Sequence, residues 1–129
     1  MAVVLVVDDE PDLLVALGDA LSDEGWQVLV ADSAATALGV ARSNAVDVVL
    51  CDLLLQGEDG RQLKREFAGD DVLGKLPFVF MTASIREGTQ LTDPVIEKPF
   101  TVAALVEVLA REVPEGRRLG FGEPAPGAG

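Results

Sequence analysis

Asp8 and Asp9 stand side by side where the apolar run VVLVV (3–7) ends, and Asp52 follows a run that begins VDVVL (46–50). Thr82 follows a third run, PFVFM (77–81), and Lys98 follows a short stretch around 94–97, just ahead of Pro99. If the acids meet, each pair repels by about 1 kcal/mol at 4 Å in water and by about 4 kcal/mol at an effective dielectric near 20. Such a site needs positive charge. Hard oxygen ligands that leave several positions to water suit magnesium, and Lys98 supplies a fixed cation from the other side. A carboxylate beside a divalent cation, an ammonium and a hydroxyl is equipped to receive a phosphoryl group, because the cations neutralise the moving oxygens while the carboxylate attacks in line. Asp52 is the candidate nucleophile, with Asp8 and Asp9 as candidate metal ligands. Thr82 and Lys98 are placed to hydrogen-bond the transferred oxygens and draw the following loop inward.

These residues can meet only if strands deliver them to one edge. The three runs above are short, nearly continuous and rich in β-branched or aromatic residues, as in strands covered on both faces, and QVLVA (27–31) makes a weaker fourth. Between them, Leu13, Ala16, Leu17, Ala20 and Leu21 fall at helical spacing, as do Ala34, Ala37, Leu38 and Ala41. Pro11 opens the first helix, Asp32 or Ser33 can cap the second, Asp59 the third and Thr101 the last. Val102, Leu105, Val106, Leu109 and Val113 line one side of that last helix. Strands alternating with helices predict an α/β fold, a doubly wound parallel sheet with helices on both faces, whose ligands gather beyond the carboxyl ends of the strands.

The chain has 129 residues, 49% of them hydrophobic, which suits one domain. Ten basic against 22 acidic residues give a net charge of −12, which repels phosphate backbones and anionic bilayers, so neither direct nucleic-acid binding nor membrane binding is expected. No apolar run approaches the roughly 18 residues of a membrane span. Met1 leads into a strand without a basic n-region, and a cytoplasmic location is expected. Histidine is absent and Cys51 is the single cysteine. That excludes a Ser-His-Asp triad, papain-like chemistry, the usual zinc sites and a histidine phosphodonor, and leaves Cys51 as a core residue. After Val113 the composition turns to PEGRRLGFGEPAPGAG, so residues 1–113 are expected to form the domain and 114–129 a flexible tail or linker.

In the stretches VVDDEP, VVLCDLLLQGEDG, FVFMTAS and EKPF, the chain resembles the response-regulator receiver domain of two-component signalling, from residue 3 to about 113. The resemblance implies a flavodoxin-like, five-stranded parallel sheet in a three-layer sandwich. It implies that Asp9 ligates magnesium directly and Asp8 mainly through water, that Asp52 is both ligand and phosphoacceptor, and that the Leu54 carbonyl is a backbone ligand. The phosphodonor would be a histidine kinase or phosphotransfer protein, and the chain would catalyse only its own phosphorylation and dephosphorylation. The downstream partner and the oligomeric state stay open.

Three features depart from the family pattern. Thr82 and Lys98 are closer in sequence than receivers usually show, and IREGTQLTD between them leaves room for about one or two helical turns, so the fourth helix is expected to be short or absent. Val95 stands three before Lys98, where an aromatic ring is common, so a threonine-aromatic switch is not expected. Partners would then use another surface, such as the first helix, or read the shortened loop itself. Gln56 stands where proline often follows the acceptor, which predicts a free backbone donor and a looser loop. Leu54 and Ser84, two positions past Asp52 and Thr82, would flank the path of attacking water; apolar Leu54 cannot orient it, and a long-lived phosphoaspartate is expected.

Simpler roles compete at single positions. Asp8, Asp9 and Glu10 alone would suit a helix N-terminus. Asp59-Gly60 suits a turn and cap. Glu66, Asp70, Asp71 and Glu112 suit solvated faces. The alternatives for the whole chain are a non-phosphorylated docking module and a small magnesium-dependent phosphohydrolase, which would want a second acid where Leu54 stands. Neither a GxGxxG nor a GxxxxGK[ST] loop follows the first strand, which disfavours nucleotide binding.

Overall fold

The computed structural model describes residues 2–84 and 92–113. Strands β1 (Val3–Val7), β2 (Gln27–Ala31), β3 (Val48–Asp52), β4 (Phe78–Thr82) and β5 (Val95–Glu97) form one sheet in the order β2-β1-β3-β4-β5, every pairing parallel. Every residue of β1, β3 and β4 is buried, as continuous apolar runs require of central strands, while the edge strands β2 and β5 are partly exposed.

Alternation along the strands feeds two cores. On one face Val4, Val6, Leu50 and Met81 meet α1 (Pro11–Asp23) and α4 (Val102–Glu112) through Leu14, Leu17, Leu21, Leu105 and Leu109. On the other, Leu5, Val7, Val49, Cys51 and Phe80 meet α2 (Ala34–Ser43) and α3 (Arg61–Ala68) through Ala37, Ala41, Leu63 and Phe67. The result is the expected flavodoxin-like three-layer sandwich. Cys51 is a core residue; burial first, and then the Asp52 charge, push its thiol pKa well above the ordinary value, which keeps it inert. Among the described residues no helix is long and apolar enough to cross a membrane.

Local expectations hold where the signal is local. Pro11 is the first residue of α1, Ser33 Oγ accepts the Thr36 amide at 3.2 Å and Thr101 Oγ1 accepts the Ala104 amide at 3.0 Å. Elsewhere the structure corrects them. The strand expected at 46–50 begins two residues later, at Val48, because the Asp47 carboxylate accepts the Val3 amide at 2.8 Å and so serves as the start of the β1–β3 pairing. The buried stripe of α1 is Leu14, Leu17 and Leu21, with Leu13 half-buried and Ala16 exposed. The residue at the N-cap of α3 is Gly60; Asp59, one position earlier, accepts the Arg61 amide at 2.9 Å and pairs with its guanidinium. Asp70 is half-buried and caps a single 3-10 turn, accepting the amides of Val72 at 2.8 Å and Leu73 at 3.0 Å. Of the connection IREGTQLTD (85–93), where a short or absent fourth helix is expected, residues 85–91 lie outside the described residues, as does the tail at 114–129.

Candidate functional site

Strand register assembles the site. Val7 of β1 pairs with Cys51 of β3, so Asp8 and Asp52 come next on adjacent strands. Asp52 pairs with Met81, placing Thr82 one step further on β4, and Thr82 pairs with Glu97, placing Lys98 immediately after. The Lys98 amide donates to the Thr82 carbonyl at 2.8 Å. Residues up to 90 positions apart therefore share the carboxyl edge at the point where strand order reverses around β1 and β3.

Lys98 Nζ lies 3.4 Å from Asp8 Oδ2, 3.4 Å from Asp52 Oδ2 and 4.0 Å from Glu10 Oε1. The other oxygens are held by backbone amides: Glu10 donates to Asp8 Oδ1 at 2.8 Å and Leu54 to Asp52 Oδ1 at 3.1 Å. The Thr82 hydroxyl donates to the Ser84 carbonyl at 2.9 Å and accepts the Ser84 amide at 3.1 Å. Gly60 packs against the acceptor's own backbone; a Cβ there would lie 2.1 Å from the Asp52 carbonyl oxygen, so no side chain fits.

Asp8 is fully buried. Burial raises its pKa above the ordinary aspartate value, the Glu10 amide and Lys98 pull it back in part, and the Asp52 charge adds to the rise. Burial alone would lower the pKa of Lys98, but Asp52 and Asp8 overcome it and hold the ammonium above its usual value. Two carboxylates thus share one cation, and the local balance is negative.

Asp8, Asp9, Asp52, Thr82 and Lys98 all converge. One carboxylate oxygen from each of the three acids lies within 4.8 Å of the others, a hard-oxygen set that fits magnesium. Asp9, Asp52, Thr82 and Lys98 border an open cavity of about 380 Å³, and Asp8 lies beneath them. Leu54 borders it too, 58% exposed. Ser84 and Val95 do not border it: Ser84 reaches the site through its backbone, and Val95 is half-buried against the α2–α3 core. Glu10, Gly57 and Ala83 line the cavity without having been singled out as site residues. The expected looseness at Gln56 is also corrected. Its amide donates to Asp9 Oδ2 at 3.1 Å, and Leu54–Leu55 pairs antiparallel with Glu58–Asp59 across it.

This sheet order, with acids just after β1 and at the end of β3 facing a lysine after β5, defines an α/β protein whose ligand site sits at the switch point. The chain matches the response regulator receiver domain over residues 4–110 and belongs to that family. It is 33% identical to protein PilH of Pseudomonas aeruginosa over 87 residues, which is 67% of this chain and 72% of PilH. It is 34% identical to the transcriptional regulatory protein KdpE of Mycobacterium tuberculosis over 123 residues, covering 86% of this chain but only 49% of KdpE. Among solved structures it is similar to the response regulator TrrA of Thermotoga maritima in complex with magnesium and beryllofluoride. That match has a TM-score of 0.77 and 26% identity, and covers 88% of this chain and all of TrrA.

Proposed function

We propose that this receiver takes a phosphoryl group on Asp52 from the phosphohistidine of a histidine kinase or phosphotransfer protein, with magnesium bound, and thereby alters its binding of a downstream partner. The observation that carries this is Lys98, held 3.4 Å from both Asp8 and Asp52 beside three converging carboxylates. Asp8, Asp9, Asp52 and the Leu54 carbonyl would hold the ion, which would supply charge neutralisation at the phosphoryl oxygens. An Asp52 oxygen attacks phosphorus as the P–N bond to the donor's imidazole breaks, its electron pair leaving on that nitrogen. Lys98 then pairs with a phosphoryl oxygen. The Thr82 hydroxyl lets go of the Ser84 carbonyl to donate to another, drawing residues 83–84 inward. Chemistry ends with this chain's own phosphorylation and dephosphorylation.

We assign residues 1–113 to the receiver and 114–129 to a tail or linker, and a cytoplasmic setting suits the donor. An apolar groove of about 480 Å³ beside Lys98, lined by Leu13, Ala16, Leu17, Ala20 and Phe100, supports the first helix as a face that meets the downstream partner.

The test is incubation with magnesium and acetyl phosphate followed by intact-mass measurement of the native chain and of Asp52→Ala. A phosphate-sized gain in the native chain alone is expected. No gain in either would leave a docking module, and a gain in both would place the acceptor elsewhere. The exposed Leu54 side chain is apolar and cannot orient a water at the cavity it borders, so Leu54→Asn should shorten the phosphoryl half-life by roughly tenfold, less than the 10²–10⁴ of a full general base. An unchanged half-life in a phosphate-release assay would remove Leu54 from that role.

A further inference from the structure

We infer that the turn at Gln56 and Gly57 is a positioning element for the cation site, its backbone holding Asp9 ready to ligate; this rests on Asp9 being a metal ligand as proposed above. Gln56 has φ 52° and Gly57 has φ 78°. Two left-handed residues between antiparallel strands make the type I′ turn of a two-residue hairpin, whose twist matches its arms. The arms pair Leu54 with Asp59 and Leu55 with Glu58, and the base is closed by the Gly60 amide on the Leu53 carbonyl at 2.6 Å. At the base, the Leu54 amide holds Asp52 Oδ1 at 3.1 Å. At the tip, the Gln56 amide holds Asp9 Oδ2 at 3.1 Å, across 47 residues. One rigid hairpin therefore fixes two of the three carboxylates.

Asp9 is the member that needs this. Asp8 is locked by burial and Lys98, and Asp52 sits within a strand, but Asp9 is exposed. An exposed aspartate loses rotamer freedom when it binds an ion, and a donor on one oxygen removes that loss beforehand while leaving the other oxygen free for the ion. Proline at position 56 could do neither, since it has no amide hydrogen and its φ is fixed near −65°. Gln56, the departure from the family pattern, is thus what lets the turn form and the contact exist.

The experiment titrates magnesium into the full chain by calorimetry, and records unfolding midpoints without the ion. In an amide-to-ester variant at position 56, made with an α-hydroxy acid, only the donor is lost. Its dissociation constant should rise by about 3- to 10-fold, the net worth of one ordinary hydrogen bond, with the metal-free midpoint lowered by no more than the few degrees that one such bond contributes. Gln56→Asn keeps both turn and donor and should bind within about twofold of native, because Asn-Gly also favours this turn. An ester that binds magnesium as tightly as the native chain, or more tightly because the contact competes with the ion, overturns the inference. Asp9→Ala separates this from the underlying proposal: if that variant binds like the native chain, Asp9 is no ligand and the fault lies there.

Discussion

Asp8→Asn is expected to melt at a higher temperature than the native chain when no divalent ion is present, and to lose most of the stabilisation that magnesium confers. Asp8 is 0% exposed and shares Lys98 with Asp52, so its charge is desolvated and only half neutralised. Removing the charge while keeping the shape relieves a repulsion of about 4 kcal/mol per carboxylate pair at 4 Å and an effective dielectric near 20, less whatever Lys98 already offsets. Each 1 kcal/mol recovered shifts the melting point by about 3–5 °C in a domain of this size, between the 4–8 °C of smaller domains and the 2–4 °C of larger ones. The sign of the pH dependence follows from the same burial. The folded-state pKa of Asp8 lies above the ordinary 3.8, so the native state binds that proton more tightly than the unfolded chain does. Its contribution is favourable at low pH and is lost as pH rises from 3.8 through the higher folded value. Urea unfolding across that range, without metal, should show the downward slope in the native chain and not in Asp8→Asn. A variant less stable than native at pH 7, with the slope intact, would contradict the site's excess of negative charge.

Lys98→Met should act in the opposite direction. It leaves Asp8 and Asp52 facing one another with no cation, and breaking a buried pair by removing one partner costs about 3–5 kcal/mol. Lys98 is 23% exposed, which lowers the expectation to roughly 2–3 kcal/mol at neutral pH. Magnesium should restore part of the loss, since a second source of positive charge reaches the same oxygens. Because Lys98 has a raised pKa, its own stabilisation is complete below the ordinary 10.5 and fades only above it, so the native and Lys98→Met chains should converge at strongly alkaline pH. Equal stability of the two chains at pH 7, or a magnesium response smaller in the variant than in the native chain, would show that Lys98 does not neutralise the acids.

What could be read from the chain depended on whether each signal was local. The run VVLVV announced a central strand because all five residues are buried, and the acids directly after it could lie nowhere but at its carboxyl edge. Thr101 and Ser33 bond amides three residues away, so their caps were legible too. The bounds of β3 were not, because the Val3 amide that the Asp47 carboxylate accepts lies 44 residues earlier. Gln56 is recognisable in the sequence as a departure, yet it tightens the loop where a free donor would loosen it. The partner of its amide comes from the segment after β1 and cannot be inferred from neighbouring residues. Gly60 carried no conformational signal either: its φ is −61°, open to any residue, and it is required by the space against Asp52 instead.

The most direct test of the whole account is a crystal structure of the chain grown with magnesium and beryllofluoride, the phosphoryl mimic seen with TrrA. Beryllium is expected bonded to an Asp52 oxygen, magnesium in contact with Asp9 and Asp52, and the hydroxyl of Thr82 turned from Ser84 toward a fluorine. Beryllofluoride bound at another carboxylate, or a magnesium ion that reaches neither Asp9 nor Asp52, would contradict it.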